Sequence, residues 1–426
     1  MPASLQDQYN ELQISQGVAR GARTAGASED PLIAQLMLLL FTYAVNVRAS
    51  DVHVEPTSRG ARFRYRIDGM LHEVLQVPPE TRDLVIRALK VKANMATDMT
   101  GRSKPQDGRI EFEVNGAKLD LRLSSFPTLF GDVLAIRVLD RSATRLTLEQ
   151  LGFSQETRKM FERVIHKPNG LFLVTGPTNS GKTTTLYAAL EVLKSARIKI
   201  VTLEDPVEYL LDGIDQAQIN PQASLTFVTG LRAILRQDTN IILVGEIRDK
   251  ETAEIAIRAS LTGHLVLSTL HTRHACGTIS RLLDMDIEPY FIVTSLTGVL
   301  AQRLIRTICP DCRQPDPTAA QIFTRLWAQQ TSAPAPDPAT GHLSRGAGCT
   351  ACNKMGYRGR TGLFELLVMS DDLKQLVLDQ AASSQLYKAA VASGMRTMLL
   401  DGLEKAFRGM TTLEEVLRVI GEPEDV

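Results

Sequence analysis

Between Leu171 and Tyr187 the chain reads LFLVTGPTNSGKTTTLY, a short apolar run leading into Gly176-Pro177-Thr178-Asn179-Ser180-Gly181-Lys182-Thr183-Thr184 and then a helix-like stretch. This is G-x-x-x-x-G-K-T set between a strand and a helix start, the context in which a loop cradles phosphate. Glycines at 176 and 181 permit the tight backbone path that turns successive N–H groups toward an anion. The helix that follows adds its unpaired N-terminal amides. Lys182 is expected to neutralise the β- and γ-phosphates and Thr183 to hold the magnesium ion, so residues 176–184 are read as an ATP and Mg²⁺ site. A glycine-rich turn with an incidental lysine would lack one or both of these flanks.

Carboxylates follow at the ends of further apolar strands. Ile198 to Leu203 ends in Glu204-Asp205-Pro206-Val207-Glu208, and Ile241 to Val244 ends in Gly245-Glu246. In an open α/β sheet such positions lie at the rim where ligands bind. Glu246 is expected to polarise the attacking water; indirect magnesium coordination is its other reading. Glu204 is a second candidate at the rim, against an ordinary acidic loop. Thr262-Gly263-His264 opens another apolar strand, which ends in Ser268-Thr269-Leu270-His271-Thr272. His271, and with it His264, is read as sensing the γ-phosphate, since the histidines show no metal-ligand spacing.

Cys309-Pro-Asp-Cys312 and Cys349-Thr-Ala-Cys352 form two C-x2-C knuckles with 36 residues between the inner cysteines. Four thiolates make a closed tetrahedral Zn²⁺ site with no open position for catalysis. The Pro-, Ala- and Thr-rich insert 315–348 is expected to build no core, leaving the metal to anchor its base. Cys276 reads as a buried small hydrophobe.

The elements that must position these groups divide the chain. Residues 1–30 read as a loose tail with at most a transient helix near 5–14. Asp30-Pro31 caps a helix reaching about Arg48. A small α/β domain then runs to 140, with strands at 50–56, 62–67, 119–123 and 133–139 and a helix at 80–93. In Arg62-Phe63-Arg64-Tyr65-Arg66-Ile67 the apolar residues face a core and the three arginines share the other face, suggesting an anionic surface opposite. Residues 141–155 are a linker and 156–308 the ATPase core, whose alternating strands and helices imply a mostly parallel sheet. The metal module is placed at 309–358 and a largely helical C-terminal subdomain, opened by a strand near 363–368, at 359–426. Forty-eight basic residues balance forty-eight acidic ones, which argues against wholesale wrapping of nucleic acid. No apolar run approaches the roughly 18 residues of a membrane span and no signal segment opens the chain, so a cytoplasmic location is expected. Five cysteines, four in close pairs, fit a reducing compartment.

Taken together, these motifs resemble the secretion ATPases of bacterial type II secretion and type IV pilus assembly. The resemblance rests on residues 49–56 (ASDVHVEP), 64–69 (RYRIDG), 105–109 (PQDGR), 176–184, 202–209 (TLEDPVEY), 244–249 (VGEIRD), 262–264 (TGH) and 268–272 (STLHT), and spans about 31–426. It implies a RecA-like core preceded by a small PAS-like α/β domain, with Glu204 and Asp205 in an aspartate box, Glu246 in an atypical Walker B element and His264 and His271 in a histidine box. It also implies that Arg122 and Arg137 reach a nucleotide from the small domain, and that Arg232, Arg236 and Arg360 line nucleotide or subunit contacts. The four cysteines point to the assembly or export branch. Such enzymes work as homo-hexameric rings on an inner-membrane platform protein, in some cases through a membrane-recruiting adaptor.

Three departures stand out. Asn179 occupies a position where glycine is usual, Thr239-Asn240 replaces Pro-Asp, and most of the N-terminal recruiting domain of many relatives is missing. A nucleic-acid motor of the same superfamily and a non-hydrolysing scaffold are the competing readings. The neutral charge and the paired boxes count against the first of them.

Overall fold

The computed structural model describes residues 4–17, 31–97, 104–140, 146–331 and 333–421. They fall into two compact units, Met1–Thr144 and Arg145–Val426.

The first unit contains helices α1 (Leu5–Gly17), α2 (Pro31–Asn46) and α3 (Pro79–Lys92). Its strands are β1 (Ala49–Thr57), β2 (Gly60–Ile67), β3 (Met70–Val77), β4 (Gln106–Val114), β5 (Ala117–Thr128) and β6 (Gly131–Asp140). They form one sheet in the order β3-β2-β1-β6-β5-β4, every pair antiparallel. Asp68-Gly69 and Asn115-Gly116 turn the β2–β3 and β4–β5 hairpins with positive φ at both residues, the geometry that two-residue hairpin loops demand. Alternation puts Val52, Val54, Phe63, Tyr65, Leu121 and Leu123 on the buried face. Helix α2 meets that layer: Tyr65 Oη donates to Leu40 O at 3.1 Å, and the Phe41 and Phe112 rings lie 5.1 Å apart.

One expectation fails here. Residues 5–17 form a packed helix, with Leu5 only 1% and Tyr9 3% exposed. Its polar composition hid two apolar anchors one helical turn apart. Tyr9 Oη also shares a hydrogen bond with Thr81 Oγ1 at 3.2 Å, tying α1 to α3. The rest of the proposed tail, 18–30, lies outside the described residues.

Among the described residues, the second unit is organised on a seven-stranded sheet in the order β15-β12-β7-β11-β10-β8-β9. These strands are β7 (Gly170–Thr175), β8 (Ile200–Glu204), β9 (Asp215–Gln218), β10 (Ile241–Val244), β11 (Leu265–Leu270), β12 (Leu296–Ile308) and β15 (Tyr357–Val368). All neighbours are parallel except the β12–β15 pair. Every residue of β7, β8, β10 and β11 is buried, as a parallel sheet covered on both faces requires. One face packs on α4 (Gln155–Ile165) and α5 (Lys182–Leu193). The other packs on α6 (Phe227–Ile234), α7 (Lys250–Leu261), α8 (Ala275–Asp284) and α9 (Pro289–Ser295), with later helices joining them.

The C-terminal part is less separate than its sequence suggests. Strand β15 is an edge of the core sheet, paired with β12 from Gly298–Val368 to Ile308–Tyr357. The segment around the cysteines is therefore an excursion between two core strands. It holds the short strands β13 (Arg313–Pro315) and β14 (Ser344–Gly346) and the helix α10 (Ala319–Gln330). The expectation that this insert builds no core is corrected. Phe323 is wholly buried, and with Ala319 and Leu326 it joins the main apolar cluster beside α13 (Met398–Phe407). Three apolar residues spaced 319, 323 and 326 suffice for a helical stripe. Helices α11 (Asp371–Leu378), α12 (Ser383–Ala392) and α14 (Leu413–Ile420) complete the unit. No described helix is long and apolar enough to cross a membrane.

Candidate nucleotide and metal sites

Strand β7 delivers the chain into the Gly176–Gly181 loop and α5 leads it away. Gly176, Asn179 and Gly181 adopt φ of 155°, 64° and 87°. Asn179 thus takes the left-handed conformation that asparagine tolerates best among side-chain-bearing residues. Gly176 is also required sterically, and Gly181 is tightly approached by a side chain. A Cβ on Gly176 would stand 2.4 Å from Gln302 O, and one on Gly181 would stand 2.8 Å from Gln302 Nε2. No side chain caps the N-terminus of α5, so its first amides are left to an anion. Lys182 Nζ donates to the carbonyls of Gly176 (2.9 Å) and Pro177 (3.0 Å). Burial, helped by the nearby Arg303 charge and opposed by Glu246, pulls its pKa down to about 8.

Glu246 stands beyond β10, on the same rim as this loop. Gly245 N donates to Leu203 O at 2.8 Å, Thr269 Oγ1 to Gly245 O at 2.8 Å and Ile247 N to Thr269 O at 3.0 Å, so the backbone on both sides of the glutamate is fixed. One carboxylate oxygen accepts from Arg248, and the other lies 3.5 Å from His271 Nε2. Burial alone would raise the Glu246 pKa; Arg248 and His271 overcome it and hold the group below the ordinary carboxylate range. A side chain in that setting is an ionised acceptor at neutral pH, as a water-orienting carboxylate must be.

The other candidates separate. Glu204 is 3% exposed and both its oxygens are engaged, one by Tyr187 Oη and the other by Thr202 Oγ1 at 2.6 Å and Gln216 Nε2 at 3.3 Å. Burial raises its pKa. It knots β8, β9 and α5 together instead of facing Lys182. His264 lies at the opposite end of β11 from His271, a strand of six residues or about 20 Å. Its Nδ1 meets Ala259 O at 3.0 Å and so finishes the end of α7. Ser268 and Thr269 donate to the backbone of β10 and its loop, which makes them clamps on Glu246.

The four cysteine ligand atoms lie within 4.8 Å of one another, with Sγ–Sγ distances of 3.8 Å (309–349), 3.8 Å (312–352) and 3.7 Å (349–352). Four sulfurs each 2.3 Å from one ion would be about 3.8 Å apart, so the cluster fits a tetrahedral metal. The amides of Cys349 and Gly356 both point at Cys352 Sγ from 3.2 Å, a setting that suits a thiolate.

In the first unit, Arg109, Arg122, Arg137, Asp51 and Arg66 are successive cross-strand neighbours over five strands. Arg109 is held by both oxygens of Asp120, at 2.5 and 2.7 Å. Asp51 serves Arg66 at 3.3 Å and Arg137 at 3.7 Å. Arg62 and Arg64 both reach Glu55. The alternating arginines of β2 thus have carboxylate partners on β1, and the inference that they need an external anion is corrected. Arg122 and Arg137 stand directly opposite each other on β5 and β6, with Asp51 3.7 Å from Arg137.

Comparison with known proteins settles the family. The family described as "Type II/IV secretion system protein" matches residues 26–418. This chain belongs to it. The type II secretion system protein E of Dickeya dadantii (strain 3937) is 47% identical over 398 residues, covering 93% of this chain and 77% of that one. The type IV pilus assembly ATPase PilB of Myxococcus xanthus (strain DK1622) is 44% identical, covering 92% and 69%. Among solved structures, the Legionella pneumophila ATPase DotB aligns with a TM-score of 0.66 at 20% identity, covering 93% of this chain and 96% of that one. The pilus retraction motor PilT with bound ADP aligns with a TM-score of 0.59 at 25% identity, covering 92% and 98%.

Within this type II/IV secretion protein, the sequence missed the part played by β12. Gln302 and Arg303 form a polar pair in the middle of β12, between Val299-Leu300-Ala301 and Leu304-Ile305, and that pair was the available signal. Gln302 backs both loop glycines and accepts from Thr185 Oγ1 at 2.8 Å. Arg303 emerges on the opposite face, where Nη2 donates to Arg273 O at 2.8 Å and Nη1 to Gln302 O at 3.1 Å.

Proposed function

We propose that this chain is the ATP-hydrolysing subunit of a motor for type II secretion or type IV pilus biogenesis, acting as a cytoplasmic hexameric ring against an inner-membrane platform protein. Family membership and the phosphate loop carry the ATP hydrolase activity. The observation that carries the mechanism is Glu246, fixed on the rim beside the loop with an ionised carboxylate.

The amides of the loop and of α5 bind the phosphates, and Lys182 exchanges its two carbonyl partners for phosphate oxygens. A magnesium ion held at Thr183 would supply further charge neutralisation. Glu246 orients the water and takes its proton. His271, in contact with Glu246, is placed to respond when the γ-phosphate leaves. Arg122 and Arg137 would complete the site's positive charge, in cis or from a neighbouring subunit. The four cysteines would hold one structural zinc, which secures the excursion between β12 and β15. Docking to the membrane would go through the platform protein or an adaptor, and no nucleic acid is required.

Glu246→Gln is the direct test. Nucleotide should still bind while turnover falls by about 10²-fold or more; near-normal turnover would refute the base. Metal analysis of protein purified without chelator should find one zinc per chain, lost in the Cys309→Ser/Cys349→Ser variant; a metal-free wild type would refute that assignment.

A further inference from the structure

The turn that carries His271 is pinned at every residue through Ala275. His271 reaches Glu246. Thr272 shares a hydrogen bond with Thr175 Oγ1 at 2.7 Å, and its amide donates to the same oxygen at 2.8 Å. The carbonyl of Arg273 accepts from Arg303. His274 Nδ1 caps α8 through Gly277 N at 3.0 Å, and Ala275 N donates to Glu365 Oε1 at 2.8 Å. Of these anchors, Arg303 and Glu365 come from the antiparallel pair β12–β15. They occupy one face of it, since Glu365 is opposite Ala301 and Arg303 opposite Leu363.

Arg303 spans two parts of the site. One arm holds the carbonyl of Gln302, the group packed against Gly176, and the other holds the turn two residues after His271. Glu365, 2% exposed, acts electrostatically on Arg303 and is also bound by the Met398 backbone and by Tyr387, while burial pushes its own pKa up. A half-buried guanidinium spread over two carbonyls uses a fork geometry that lysine cannot reproduce.

We propose that Arg303, backed by Glu365, is a positioning residue for hydrolysis: it sets the reach of His271 toward Glu246 by holding the His271 turn against the wall of the phosphate loop. This rests on the assignment of Glu246 as the water-orienting base. In this role the guanidinium acts on the chemistry through His271.

A double-mutant cycle in assembled full-length protein tests it, with ATP as the substrate. Arg303→Met should lower kcat roughly tenfold while KM for ATP stays within about twofold, the signature of misplaced chemistry with binding intact. Combined with His271→Asn, it should be no slower than His271→Asn alone to within about twofold, because residues acting in series are not additive. Arg303→Lys should recover part of the loss. A double variant whose loss is the product of the two single losses would overturn the proposal, as would a raised KM with kcat unchanged. If Arg303→Met fails to assemble, Arg303→Lys enters the cycle under the same criteria. Glu246→Gln run in parallel separates the two readings. Full turnover there removes the base itself, whereas an inactive Glu246→Gln beside an unimpaired Arg303→Met removes only Arg303.

Discussion

The arginine face of the first unit and the rim of the second both concentrate charge, but by opposite means. In the antiparallel sheet, side chains alternate across a broad face, and charge is laid out in cross-strand rows whose members serve one another: Asp51 for Arg66 and Arg137, Glu55 for Arg62 and Arg64, Asp120 for Arg109. In the second unit the parallel strands β7, β8, β10 and β11 are wholly buried and most of the site's charge stands at strand ends, with Arg303 inside β12 an exception. Two of its cations are held by backbone: Lys182 on the carbonyls of 176 and 177, Arg303 on those of 273 and 302. The first arrangement is a largely self-neutralised surface in which Arg122 and Arg137 stand opposite each other, Arg137 with Asp51 as a partner. In the second, Lys182 has neutral partners, so an incoming phosphate competes with dipoles there, whereas Arg248 is held by Glu246 and Asp205.

The comparison predicts unequal sensitivities. Arg122→Ala/Arg137→Ala should bind ATP yet hydrolyse it on the order of 10²-fold more slowly, the scale of a charge needed mainly in the transition state. Unchanged turnover at saturating ATP would make this face purely structural. Next in size is a pH effect. Phosphate favours protonated Lys182, whose pKa before binding is about 8, so ATP affinity should hold below that value. It should fall by up to about tenfold per pH unit as pH rises through it. Titration calorimetry from pH 7 to 9.5 checks the slope, and Lys182→Arg should flatten it because arginine does not deprotonate. The smallest effect belongs to Asp51→Asn. Removing the carboxylate shared by Arg66 and Arg137 should change turnover by roughly twofold to threefold, as expected for a part-exposed pair. A loss as large as that of the double arginine variant would mean that Asp51 aims Arg137.

How much of this was legible beforehand depended on the range of the interaction. The phosphate loop, the Glu246 strand and the alternation of β2 are local patterns, and the structure follows them. What eluded the sequence needed distant partners. Gln302 matters because β12 lies beside β7, more than a hundred residues earlier in the chain. Glu204 and Glu246 have similar local contexts, yet one turns into a knot of Tyr187, Thr202 and Gln216 and the other to the rim. His264 and His271 bracket one strand in sequence, but a strand has two ends and only one carries the site. Helix α10 was missed because its three apolar residues are diluted in a Pro- and Ala-rich insert, where composition outweighs period.

Strand β12 carries one more implication. It runs from Leu296 past the loop at Gln302 to Ile308, immediately before Cys309, bonded along part of its length to β7 and over most of it to β15. A strand laced in this way neither stretches nor swivels freely. The cysteine knuckle is thus a handle at a set distance of about 23 Å from the phosphate loop, seven residues at the rise of a strand. A pull on that handle arrives at Gln302 and Arg303 together, and because neighbouring residues point to opposite faces, it reaches the glycine loop through one and the His271 turn through the other.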